Sequence, residues 1–152
     1  MPDRRHHLSI DDRIIERVVG ARVVLGEAIK EPKGALLTED KPWEVRFDNL
    51  YANVLYDDQD KLFKVWYNPF IVDPLTSEST PEQRETSRYL PREEDREMGL
   101  CYAVSKDGLE WEKPSLRRVA FDGSDENNLV MRGVHGVGVR REHDAQVPNY
   151  LA

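Results

Sequence analysis

The side chains able to do chemistry are mostly carboxylates. The chain carries 29 acidic residues against 22 basic ones, for a formal net charge of -7. Paired carboxyls carry general acid–base chemistry and glycosidic-bond cleavage. Cleavage needs them roughly 5–5.5 Å apart for retention or about 6.5–9.5 Å apart for inversion. Acids are so frequent here that position says more than number. Asp48 and Asn49 lie directly before a strand-like run, beside Phe47 and Tyr51. A turn or cap role is the competing reading of that pair. Glu44, beside Trp43, is a weaker acid. The indoles of Trp43 and Trp66 suit the apolar C–H face of a sugar, although Trp in such strands is more often core. His135, between Val134 and Gly136, can hydrogen-bond a hydroxyl or serve as a satisfied structural histidine.

Other chemistries find little footing. The single cysteine, Cys101, lies in the apolar run Leu100-Cys101-Tyr102-Ala103-Val104, which reads as a buried, inert thiol. The histidines at 6, 7, 135 and 143 have no zinc spacing. No glycine-rich phosphate loop, nucleophile elbow, metalloprotease helix or calcium loop appears. No metal and no cofactor are therefore expected. The basic pairs Arg4-Arg5, Arg117-Arg118 and Arg140-Arg141 are scattered among acids, so no nucleic-acid partner is expected. Apolar runs such as Val23-Val24-Leu25 are far shorter than the roughly 20 residues of a membrane span, so no membrane role is expected. The opening Met-Pro-Asp-Arg-Arg-His-His has no apolar signal region. Together these features predict a soluble, cytoplasmic protein.

The elements that must position these groups read as strands. The length of 152 residues is one domain's worth. The apolar share of 39% is lean against a usual share of about 45–50%. Residues 11–19 are ambiguous between a short helix and a strand, and residues 22–25 read as a strand. Pro32 and Gly34 then break the chain. The clearest signal is a hairpin. Tyr51-Ala52-Asn53-Val54-Leu55-Tyr56 and Lys61-Leu62-Phe63-Lys64-Val65-Trp66-Tyr67 flank the polar turn Asp57-Asp58-Gln59-Asp60. Residues 68–97 are polar, turn-rich and charged, and read as an inserted loop. A second hairpin is predicted from 98–105, the turn Lys106-Asp107-Gly108, and a return strand Leu109-Glu110-Trp111-Glu112 ended by Pro114. Trp111 accordingly reads as structural. The expected fold is all-β, an antiparallel four-stranded meander over residues 51–111 with the insertion at 68–97. Such a meander is the unit of a propeller blade. A sandwich of short strands fits the pattern too.

The order of segments carries a resemblance. Ile10-Asp11-Asp12-Arg13-Ile14-Ile15-Glu16 is followed by Lys41-Pro42-Trp43-Glu44, Val54-Leu55-Tyr56-Asp57 and Phe63-Lys64-Val65-Trp66-Tyr67. Then come Cys101-Tyr102-Ala103-Val104-Ser105-Lys106-Asp107-Gly108-Leu109-Glu110-Trp111-Glu112-Lys113-Pro114, Asp122-Gly123-Ser124 and Asn127-Asn128-Leu129-Val130. This resembles the N-terminal part of glycosyl hydrolase-like proteins with a five-bladed β-propeller, related to the clan of arabinanases and invertases. The resemblance implies that residues 1–152 form a partial propeller domain, one blade plus the start of a second. In that clan the catalytic acids come from successive blades, on inner strands that face the central axis.

The implied function is carbohydrate-active: hydrolysis of glycosidic bonds by paired carboxylates, with Asp48 as the first-blade carboxylate. Asn49, Asn53, Trp43 and His135 are the expected substrate contacts, and a carbohydrate is the expected substrate or ligand. The alternatives are a non-catalytic carbohydrate-binding or interaction module, or a truncated, non-functional fragment. A lone blade leaves strand edges and apolar faces uncovered, so self-association that completes the propeller is a further expectation.

Overall fold

The chain is described from a computed structural model. It describes residues 15–22, 24–77, 80, 82, 96–142 and 149–151. Two compact units divide the chain, residues 1–32 and residues 33–152. In the first unit the described residues form no helix or strand, and Val18, Val19, Val24, Leu25 and Ile29 are exposed. The strand expected at 22–25 is therefore not seen among the described residues there. Of the ambiguous stretch 11–19, residues 11–14 lie outside the described residues.

Among its described residues the regular structure of the second unit is mostly strand, with a helical turn at Pro74–Ser77 and a further helical residue at Glu82. Its elements are β1 (Asn53–Asp57), β2 (Leu62–Tyr67), β3 (Phe70–Val72), α1 (Pro74–Ser77), β4 (Glu97–Ser105), β5 (Leu129–Arg132), β6 (Arg140–Glu142) and β7 (Asn149–Leu151). All pairings are antiparallel. β1 pairs with β2, which pairs with the C-terminal half of β4. β3 continues along the same edge of β4, after the interruption at Asn68-Pro69. Proline cannot donate to a ladder, which explains a break at Pro69. β5 pairs with the opposite edge of β4. The result is an open sheet of four ranks. β6 and β7 form a separate two-stranded ribbon.

The first hairpin forms where the sequence predicts it, with Asp57 opposite Leu62. Its turn is closed by Asp57 Oδ1, which accepts the N–H of Gln59 at 2.9 Å. The left-handed residue is Lys61, at φ 58.

The second hairpin differs from expectation. Residues 109–112 make no strand, and only a single bridge joins Val104 to Glu112. The amides that a ladder would need are taken by side chains. Asp107 Oδ1 accepts the N–H of Leu109 at 2.8 Å and of Glu110 at 2.9 Å. Ser105 Oγ accepts the N–H of Gly108 at 2.8 Å, and Gly108 sits at φ 79. Local bonds of this kind compete with sheet pairing. The fourth rank is supplied instead by β5. Within 68–97, the structure contains β3 and α1, while 78, 79, 81 and 83–95 lie outside the described residues.

The core follows the two-residue period of the strands. Val65 lies opposite Ala103 and Tyr67 opposite Cys101, so all four share one face. With Ile71 and Leu129 they make the buried cluster, against which Leu37, Trp43, Phe47, Leu50, Trp111, Val119 and Phe121 pack. Full burial of side chains such as Ile71 and Leu129 stabilises by about 1.5–3 kcal/mol each. Gly99 is required at its place, because a Cβ there would lie 2.8 Å from Leu129 Cδ2 and 3.0 Å from Ile71 Cγ2. Cys101 is buried as expected, and burial, with Glu44 nearby, pushes its thiol well above the ordinary range. On the other face the rings of Trp66 and Tyr102 meet at 5.1 Å.

Candidate functional site

A hollow of about 380 Å³ opens where β3, the start of β4 and the segment after β5 meet. It is lined by Phe70, Arg96, Glu97, Met98, Gly133, Val134 and His135. Phe70 supplies an aromatic surface, and Arg96 places its guanidinium 4.2 Å from the ring centre. Glu97 is gripped on both oxygens by Arg132, with Nε at 2.8 Å from Oε1 and Nη2 at 2.6 Å from Oε2. That two-pronged bond holds the Glu97 carboxyl below its usual range.

A charged cluster adjoins the hollow through Phe70. Arg46 carries its guanidinium 4.3 Å from the centre of the same ring. Its Nε lies 3.0 Å from Asp73 Oδ2, and Arg96 Nε lies 3.8 Å from that oxygen. Asp73 has a fully buried side chain. It is held there by local structure, because it stands at the N-cap of α1. Pro74 opens the helix, and Thr76 Oγ1 donates to Asp73 Oδ2 at 2.9 Å. From the other end of the guanidinium, Arg46 Nη2 lies 3.4 Å from Asp48 Oδ2. The Asp48 side chain is 49% exposed. Among the described residues it caps no backbone N–H, while Asp48 and Asn49 form a bend, so the turn reading of the pair stands.

The segment carrying His135 is tied down by two asparagine amides. Asn53 Nδ2 donates to the carbonyls of Tyr51 and Val137, each at 2.8 Å, and Asn53 Oδ1 accepts the N–H of Val139 at 3.0 Å. Asn68 Nδ2 donates to Gly99 O at 2.9 Å, and its Oδ1 accepts the N–H of Val137 at 3.3 Å. The N–H groups of Gly133 and Val134 bond to Met98 O. On this strap His135 meets the edge of Tyr51, with ring centres 5.0 Å apart.

The residues expected from sequence thus divide. His135 lines the hollow. Asp48 is joined to it through Arg46 and Phe70, and Asn49 beside it is exposed. Asn53 spends its whole amide on the backbone, so it shapes the site by holding the strap. Trp43 donates its indole N–H to Asn128 Oδ1 at 2.7 Å and packs against the core, away from solvent-facing duty. Arg46, Asn68, Phe70, Asp73 and Arg96 carry no motif, and sequence reasoning passed them over. The one usable signal was Asp73-Pro74 with Thr76, a helix-start pattern.

A second hollow of about 240 Å³ adjoins Ser105, Lys106, Asp107, Glu110 and Glu112, but Asp107 is committed to the loop amides there. Among the described residues no cluster of three or more His, Cys, Asp or Glu is placed to hold a metal ion. No helix among them is long and apolar enough to cross a membrane. No family model, curated protein or solved structure matches the chain.

Proposed function

We propose that this chain is a blade-bearing segment of a carbohydrate-active, glycoside hydrolase-like propeller protein, with Asp48 as its reacting carboxylate. An open antiparallel sheet of four ranks is the form one blade presents. The observation that carries the functional reading is the placing of Asp48. It is a half-exposed carboxylate that caps no backbone N–H among the described residues, 3.4 Å from Arg46, whose guanidinium lies over Phe70 in the aromatic wall of a hollow that also holds an imidazole. Sugars bind such surfaces through C–H contact with a ring and hydroxyl bonds to polar side chains. The second carboxyl of the reaction would face Asp48 across the glycosidic bond. A net charge of -7 disfavours a nucleic-acid partner, and a single unpaired thiol suits a reducing compartment. Self-association that covers the open sheet edges remains part of the proposal.

A non-catalytic carbohydrate-binding module is the second reading. One observation favours it: the acid that lines the hollow, Glu97, is committed to Arg132 on both oxygens. A panel of chromogenic glycosides separates the readings. Turnover of one glycoside that falls on the order of 10³-fold or more in Asp48→Asn supports catalysis, given the size of a lost catalytic group. Equal rates in the two proteins sink the role of Asp48. Saccharide binding without turnover, weakened by His135→Ala, supports the module.

A further inference from the structure

We infer that Arg46 is the positioning residue for Asp48, locked in place by Asp73 and Phe70. The inference deepens the proposed function and rests on it for its catalytic meaning. A half-exposed carboxylate gains little from an ordinary surface ion pair, because a mobile partner must be immobilised to make it. Arg46 is not mobile. Its side chain is 20% exposed, and its Nε lies 3.0 Å from the buried Asp73 carboxylate as an ion pair. Its guanidinium lies over the Phe70 ring. Its backbone is bridged to Phe70 as well, with Phe70 N–H donating to Arg46 O at 3.0 Å. The ordering cost of this side chain is met by Asp73 and Phe70 whether or not Asp48 is engaged. The guanidinium thus stands as a fixed charge beside Asp48, with Nη2 3.4 Å from Asp48 Oδ2 in an ion pair that lacks hydrogen-bond geometry. A carboxylate that must approach one reacting atom benefits from such a fixed neighbour, since small misplacements are costly to rate.

Lysine separates this role from a merely structural one. An ammonium can still pair with Asp73, but a single point charge cannot span Asp73 and Asp48 together. The test is the χ1 rotamer of Asp48, read from three-bond couplings in isotope-labelled full chain, in wild type, Arg46→Lys and Arg46→Met. One dominant rotamer is expected in wild type and rotamer averaging in both variants, with the thermal midpoint of Arg46→Lys close to wild type. Unchanged couplings in Arg46→Lys overturn the inference, whether or not Arg46→Met folds. If a glycoside is turned over, Arg46→Lys lowers kcat on the order of 10²-fold with KM unchanged. A rise in KM alone overturns it. If no glycoside is turned over, the proposed function fails, while the couplings still decide the positioning of Asp48 by Arg46.

Discussion

Tyr67 donates its phenolic hydrogen to the carboxylate of Glu44 at 2.6 Å, in the middle of the core. Around this bond a polar chain is fully satisfied. Glu44 also accepts from Lys113 Nζ at 2.6 Å and from the N–H groups of Asp40 and Lys41 at 3.0 and 3.2 Å. The Tyr67 oxygen accepts from Asn128 Nδ2 at 2.8 Å, and Asn128 in turn accepts from Trp43. Burial, helped by Cys101 and Glu44, pushes the Tyr67 hydroxyl far above its ordinary range, so it stays a donor. The network joins the segment before β1 to the sheet and holds Trp43 in its structural place.

Tyr67→Phe therefore removes one donor from Glu44 and one acceptor from Asn128 without a change of shape. The expected loss is about 1–3 kcal/mol in urea unfolding. Lys113→Met, which leaves the Glu44 charge buried with less compensation, is expected to cost more, about 3–5 kcal/mol. Equal stability of Tyr67→Phe and wild type would show that the network is not holding the core.

The strap bearing His135 hangs on two separate acceptors, and the two are distinguishable by hydrogen exchange. Asn53→Ala is expected to speed exchange of the Val139 amide, and Asn68→Ala that of the Val137 amide. A lost bond of roughly 0.5–1.5 kcal/mol corresponds to an acceleration of about 2- to 10-fold. If both variants speeded both amides equally, the strap would be releasing as one unit rather than bond by bond.

Asp107 gives a pH prediction with a definite sign. Hydrogen bonds from the Glu110 and Leu109 amides, and then from Ser105, lower its carboxyl from 3.8 to about 2. A folded value below the unfolded one means that ionised Asp107 supports the loop. That support is complete above the unfolded value of about 3.9 and is lost as pH falls through about 2. A carboxyl NMR titration should find the midpoint near 2, and Asp107→Ala should loosen the Leu109 and Glu110 amides at neutral pH. A midpoint at the ordinary value would remove the carboxylate from its role in shaping this loop.

Much of the fold could be read along the chain wherever neighbours in sequence are neighbours in space. The hairpin of β1 and β2 is a case, since β-branched and aromatic runs flank a polar turn. The burial of Cys101 is another, announced by its apolar run. The turn at Asp107-Gly108 was legible also, but not its consequence. The same Asp107 that makes the turn diverts the amides of Leu109 and Glu110 from the ladder, so the strand expected at 109–112 never forms. Its place on the sheet goes to β5, whose partner residues are 28 to 33 positions away. Pairings at that separation leave no local periodicity to read.

The candidate site depends still more on distance in sequence. Composition and pattern by themselves determined an acidic chain of antiparallel strands, with Asp48 near the start of the first and His135 between Val134 and Gly136. Only the tertiary structure decided what surrounds them. Arg46 meets Asp73 and Phe70 because β3 returns beside the segment before β1. Asn53 and Asn68 reach the backbone near 137 because the chain after β5 folds back over them. Trp43 and Asn53, which residue type suggested for a ligand, are committed to Asn128 and to the strap. The physical reason is that a side chain's type states which bonds it can make, while packing alone states which partner arrives to make them.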